Sequence, residues 1–206
     1  MERPLFIVVE GLDGSGKTTQ VERLRHYFQA RGASCHLTAE PTELPTGRLI
    51  RSILQKEHAV DPRTLAALFA ADRVEHIFHP DSGILAQLAA GHHVIASRYY
   101  FSSLAYQSEF VDPGWIAALN REAKRSLPAD LTLFLDLPPE VSMERIARRP
   151  GNDELYETLE KLTHARESFL QAFHYFGEGE NIVSVDATAS VEDVGEAIIR
   201  AVEEVA

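Results

Sequence analysis

The sequence predicts an α/β fold, a five-stranded parallel sheet flanked by helices, and three observations carry that expectation. Short apolar runs alternate with longer segments of helical periodicity from one end to the other, as in a parallel sheet wrapped by helices. Gly11, Gly16, Lys17 and Thr18 occupy the fixed places of the spacing G-x-x-x-x-G-K-[ST], a phosphate-binding loop that needs a strand before it and a helix after it. Five candidate strands within 206 residues, with no internal repeat or low-complexity linker, leave room for one sheet and one domain.

The first candidate strand, residues 5–9, is an unbroken apolar run of the kind buried on both faces. The loop that follows has glycines that let the main chain turn tightly and aim N–H groups inward, a concave anion site. Gly11, Leu12, Asp13, Gly14, Ser15, Gly16, Lys17, Thr18 and Thr19 are therefore expected around the phosphates of a nucleotide. The Lys17 ammonium suits phosphate oxygens, and the Thr18 hydroxyl suits a magnesium ion. Val21, Leu24, Tyr27 and Phe28 recur at helical spacing, so the loop sits at a helix N-terminus, where a phosphate is favoured. The second strand, 34–38, runs into Ala39-Glu40-Pro41-Thr42. A carboxylate there is either a site residue, since strand ends of such a sheet face the ligand, or a solvated loop acid. Arg48 and Arg51, one turn apart on the next helix, are spaced to meet one anion or simply to face solvent.

Asp61-Pro62 opens a long helix, with Asp as cap and Pro in the first turn. Its apolar positions include Leu65, Leu68, Phe69, Val74, Ile77 and Phe78. Arg73 lies four residues after Phe69 on the same face, an aromatic ring and a guanidinium suited to a planar base, although on spacing alone Phe69 reads as core. His76 and His79 read as helix-surface histidines, because no zinc-type spacing accompanies them; His92-His93 reads as an ordinary strand entry. The third strand, 93–97, delivers Arg98 to the phosphate crevice, and the aromatic and hydroxyl residues from Tyr99 to Gln107 form a wall for a base or sugar. The fourth, 131–135, ends in Asp136 and a double proline. Arg145, Arg148 and Arg149 stand just before a Pro-Gly break, the composition of a lid, at about 145–156, that closes over triphosphate. A helix over 154–176, a strand over 182–185 and a helix over 191–205 follow.

A formal charge of −11 argues against a nucleic-acid or anionic-membrane surface, which needs a basic face. Cys35 is the single cysteine, so no internal disulfide forms and a reducing compartment suits the chain. No apolar stretch reaches the ~18 residues of a membrane span, and the N-terminus lacks a charged-then-apolar pattern. A cytoplasmic, soluble protein is expected.

Together these residues resemble the bacterial thymidylate kinases over nearly the whole length. The phosphate loop within residues 10–20 carries part of the likeness. Phe69-Ala70-Ala71-Asp72-Arg73-Val74-Glu75-His76 is a far more specific signature. The run Arg98-Tyr99, Ser102-Ser103 and Ala105-Tyr106-Gln107 and the turn Leu135-Asp136-Leu137-Pro138-Pro139-Glu140 complete it. The resemblance implies a nucleoside-monophosphate-kinase-like fold, transfer of the γ-phosphoryl group of Mg·ATP to dTMP to give dTDP and ADP, and a homodimer. It also implies that Asp13 contacts the 3′-hydroxyl, Phe69 stacks on thymine and Arg73 bonds its edge. Arg98 would hold the acceptor phosphate, with Ser102, Tyr106 and Gln107 lining base and sugar. Family members without an arginine inside the phosphate loop supply it from the lid; Gly14 occupies that place here, which assigns the role to Arg145, Arg148 and Arg149.

The chain departs from the family pattern around the phosphates. Ser97 stands where an acid usually precedes Arg98, Ala39 replaces an arginine, Thr42 a glycine, and Leu155 an arginine of the lid. Two alternatives follow: a kinase for another nucleoside monophosphate, or a nucleotide-binding regulatory relative that has lost catalysis.

Overall fold

The computed structural model describes residues 3–148 and 158–206. Among them, five strands, β1 (Phe6–Gly11), β2 (Cys35–Ala39), β3 (His93–Ser97), β4 (Leu131–Asp136) and β5 (Ile182–Asp186), form one parallel sheet in the order β2-β3-β1-β4-β5. The expected strands are all present, with ends displaced by at most two residues. The helices are α1 (Lys17–Ala30), α2 (Pro45–Leu54), α3 (Pro62–Phe78), α4 (Ile84–Ala89), α5 (Tyr100–Gln107), α6 (Pro113–Leu119), α7 (Arg121–Ser126), α8 (Pro139–Ala147), α9 (Leu159–Phe176) and α10 (Val191–Glu203). The first four residues of the helix expected over 154–176 lie outside the described residues.

The period-2 alternation of β1 divides the core. Ile7 and Val9, with Leu5 just before the strand, pack beneath Val21, Leu24 and Phe28 of α1 and Val194 and Ile198 of α10. Phe6 and Val8 pack on the other face beneath Phe101 and Leu104 of α5, Ile77 of α3 and Phe169 of α9. Each such side chain contributes about 1.5–3 kcal/mol when fully buried, so both faces of the central strand are strongly specified. Asp61 caps α3 as expected, accepting from the Arg63 N–H at 2.9 Å. Among the described residues no helix is long and apolar enough to cross a membrane.

This topology fixes where a ligand can go. The chain leaves β1 for the edge strand β2, returns to β3, then passes over β1 to β4. Connections diverge around β1, which opens a crevice at the C-terminal ends of the central strands. The phosphate loop, Glu40 and Arg98 all lie at those ends.

Candidate active site

At the end of β1 the loop is shaped by its glycines. Gly11 has φ +142°, and a Cβ there would stand 2.8 Å from the Leu135 carbonyl oxygen of β4. Gly14 has φ +82°, and a Cβ there would stand 2.9 Å from the Ser142 carbonyl oxygen of α8. No larger residue fits either place without moving a neighbouring main chain. Leu12 is buried beside Ile146 and Leu162, which anchors the loop. The Lys17 ammonium folds back over it and donates to the carbonyls of Gly11 (2.9 Å) and Leu12 (2.7 Å), 3.7 Å from the Asp13 carboxylate. The Ser15 hydroxyl is buried and makes no hydrogen bond, an orphaned polar atom in a cradle otherwise made of main chain. Thr18 and Thr19, in the first turn of α1, are exposed. These features fit the phosphates of a nucleotide and a cation beside the Thr18 hydroxyl.

Facing the loop is Arg98, delivered by β3. Its φ of +72° turns the guanidinium back toward the loop, where it donates to Asp13 (2.6 Å), to the Ser102 hydroxyl (3.1 Å) and to the Tyr106 hydroxyl (3.3 Å), 4.7 Å from the centre of the Tyr106 ring.

Deeper in, α3 supplies a second arginine, and this one is fully buried. Arg73 Nε donates to Glu40 Oε2 (2.8 Å) and Nη2 lies 2.6 Å from the same oxygen; Nη2 also donates to the Tyr99 carbonyl (3.2 Å). Nη1 donates to Ser103 (3.1 Å) and to Asn120. Every nitrogen of this guanidinium is engaged. The other Glu40 oxygen meets His76 Nδ1 at 3.1 Å, and His76 Nε2 meets the Thr38 hydroxyl at 2.6 Å. Asp72 accepts from the Thr42 N–H (2.8 Å) and hydroxyl (2.5 Å). The departure at position 42 thus has a partner waiting for its hydroxyl.

Between Arg98 and Arg73 lies a cavity of about 240 Å³. Asp13, Glu40, Phe69, Arg73, Arg98, Ser102, Tyr106 and Gln107, the residues expected to meet a substrate, all line it, joined by Pro41, Leu54 and Ser103. Gln107 Oε1 is buried and makes no hydrogen bond.

Several expectations need correction. Phe69 is only half-buried and faces the cavity, so it is not a core residue. Glu40 is not a solvated loop acid but a buried counter-charge, and His76 is not on the surface, being 4% exposed. Arg48 and Arg51 do not converge on an anion: Arg51 binds the carbonyls of Pro41 (2.6 Å) and Thr42, and Arg48 that of Glu43 (2.8 Å). Arg145 lies against the outer side of the phosphate loop, donating to the Ala187 carbonyl (3.0 Å) and, at 3.5 Å, to that of Gly14. Arg148 is exposed and 3.5 Å from Glu144. Arg149 and Leu155 lie outside the described residues, as does most of the lid. Missed altogether were Asn120, Glu10, and Arg166, which holds Asp136 through two bonds of 2.7 and 2.9 Å. An acid directly before the loop glycine was the one visible sign of Glu10.

A glycine cradle at the end of β1, a lysine across it and a cavity bounded by Arg98 and the buried Arg73 define a P-loop phosphotransferase. Residues 9–198 match the family model described as thymidylate kinase. A Pyrococcus horikoshii protein named "Probable thymidylate kinase" is 39% identical, over 97% of this chain and 96% of its own. A Bifidobacterium longum protein named "Thymidylate kinase" is 37% identical, over 98% of each. One from Leptospira borgpetersenii with the same name is 35% identical over 82% of this chain and 81% of its own. The chain belongs to the thymidylate kinase family.

Proposed function

We propose that this chain transfers the γ-phosphoryl group of ATP to dTMP, giving ADP and dTDP. One observation carries the reading: Asp13, a residue of the phosphate loop, also lines the acceptor cavity and binds Arg98 at 2.6 Å. Donor and acceptor sites therefore share a wall. Phosphoryl transfer asks the protein for alignment and for positive charge on the transferring oxygens. Lys17 and the loop N–H groups hold the donor phosphates, with the Ser15 hydroxyl free to add a bond. Arg98 holds the acceptor phosphate in line. That phosphate is already an anion at neutral pH, so no strong general base is required. Phe69 stacks on the base, Arg73 bonds its edge by exchanging its contact to Ser103 for the substrate, and Gln107 Oε1 offers an acceptor to an N–H of the substrate. Thr18 would hold a magnesium ion, which supplies charge neutralisation across the donor phosphates when bound. Arg145, Arg148 and Arg149 are the arginines that would add positive charge from the lid.

A homodimer is supported by the outward face of α3, where Ala71, Val74 and Phe78 stand exposed beside Pro80 and Leu119; sedimentation velocity of the full chain reports it directly. The single thiol, Cys35, favours a reducing, cytoplasmic setting. The activity is tested by ADP release with dTMP, dUMP, dCMP and dGMP in turn. dTMP is expected to give the highest kcat/KM, and turnover of another nucleotide with none of dTMP would overturn the acceptor assignment.

A further inference from the structure

Glu10 stands one residue before Gly11, where β1 gives way to the phosphate loop, and its side chain is fully buried. Burial alone pushes its carboxyl above the usual range, and hydrogen bonds from Ser102 and Tyr99, with the charge of Arg98, only partly offset this. An apolar side chain would fill the same space without that cost, so the acid calls for a reason beyond packing.

Its hydrogen bonds supply one. Oε1 accepts from the Tyr99 N–H (2.8 Å) and the Ser102 N–H (3.1 Å), and Oε2 accepts from the Ser102 hydroxyl (2.6 Å). These donors begin directly after Arg98, whose φ of +72° is a conformation that a residue with a side chain rarely adopts. Such a conformation is strained and persists only where neighbours enforce it. Glu10 enforces it from the next strand, taking the Tyr99 N–H and sharing the Ser102 N–H with the Tyr99 carbonyl (3.1 Å) at the start of α5. The same carboxylate orients the side chain. Because the Ser102 hydroxyl gives its hydrogen to Glu10, its lone pairs turn to Arg98 Nη1, which donates to it at 3.1 Å.

We propose that Glu10 is the positioning residue for Arg98: its carboxylate fixes both the backbone turn and the guanidinium, and ties the acceptor-phosphate grip to the root of the donor loop. The proposal rests on the acceptor-phosphate role of Arg98 given above.

A double-mutant cycle read by calorimetry tests it. Dissociation constants for dTMP and ATP are measured on the full chain as wild type, Glu10→Gln, Arg98→Ala and the double variant. Glu10→Gln is expected to weaken dTMP about tenfold in the wild-type background and less than about twofold once Arg98 is gone, with ATP binding changed little, because coupled residues are non-additive. Equal weakening in both backgrounds would mean a general structural lesion and overturn the proposal, as would unchanged dTMP affinity in folded Glu10→Gln. If Arg98→Ala itself left dTMP affinity intact, the reading of Arg98 would fail instead. Should thermal melting show Glu10→Gln unfolded, Glu10→Asp, which keeps the charge and withdraws it by one methylene, enters the same cycle under the same criteria.

Discussion

At the end of the site proposed for the phosphoryl donor the protein offers main chain. The loop N–H groups form the cradle, Lys17 rests on two carbonyls of its own loop, the Ser15 hydroxyl bonds nothing, and Thr18 and Thr19 are exposed. At the acceptor end it offers side chains already paired with one another. Arg73 is bound by Glu40, Ser103, Asn120 and the Tyr99 carbonyl, and Glu40 is bound in turn by His76. The first arrangement waits for its ligand to complete it. The second is complete before the ligand arrives, and its charges are stable only as a set. Loss of a donor-end side chain should therefore cost chemistry and spare the fold, whereas loss of a member of the acceptor-end network should cost the fold first.

The sharpest way to break that contrast is Glu40→Ala. It leaves the Arg73 guanidinium buried with no counter-charge, and breaking such a pair typically costs about 3–5 kcal/mol of stability. Urea unfolding at neutral pH should register a loss of that order, and a wild-type midpoint would show that the network does not hold the pocket together. Lys17→Met is the donor-end counterpart. It should raise the barrier by roughly 3–4 kcal/mol, a rate loss of several hundredfold, while the unfolding midpoint stays near wild type. Retention of more than about a tenth of kcat would contradict the role given to Lys17.

Phe69→Ala refines the comparison, because Phe69 borders the cavity without belonging to the charged network. Base stacking contributes ~1–3 kcal/mol, so the Kd for dTMP should rise about 5- to 150-fold with ATP affinity nearly unchanged. Calorimetry on both ligands decides; equal loss of both with a lowered Tm would return Phe69 to the core. Ser97→Asp carries the smallest expected effect, since it lies between the two regions. Asp136 is held by Arg166, Glu40 by Arg73 and Asp13 by Arg98, but Asp13 keeps 43% of its side chain exposed, so of the three its carboxylate also faces the solvent of the crevice, where a hydrated cation would sit. With that carboxylate in place, adding another should change kcat by less than about tenfold in a magnesium titration. A larger gain would mark the wild type as a weakened kinase.

The two regions also differ in how they are written in the chain. The donor end is contiguous, and its spacing is imposed by backbone geometry, so residues 11–19 were legible. The five strands were legible as well, because burial on both faces demands apolar runs. The acceptor network was not, because its pairs join residues 36 and 47 positions apart, His76 to Glu40 and Arg73 to Asn120. On α3 the apolar pattern was only partly right: Ile77 is buried as read, but Val74 and Phe78 are exposed, while Ala66, Ala70, Arg73 and His76 are buried. Those buried positions do recur at helical spacing. A buried arginine and histidine in line with small residues leave no hydrophobic signal, and only a period read without regard to polarity would have found them. Family likeness supplied the roles of Phe69 and Arg73, which spacing did not.

The close fit at Gly14 bears on how this lineage can change. A side chain there must displace the main chain of α8, since a Cβ would meet the Ser142 carbonyl oxygen at 2.9 Å and φ is already +82°. α8 is in turn fastened to the loop by the Ser142 hydroxyl, which donates to the Asp13 carbonyl. The arginine that some relatives carry inside the loop is thus not one substitution away. A mutant acquiring it would first lose the packing of α8, and with it the base of the segment bearing Arg145 and Arg148. On the role proposed above for the arginines at and beyond the end of α8, two ways of bringing the same charge to the phosphates are separated by a steric barrier, which this chain crosses only if α8 moves first.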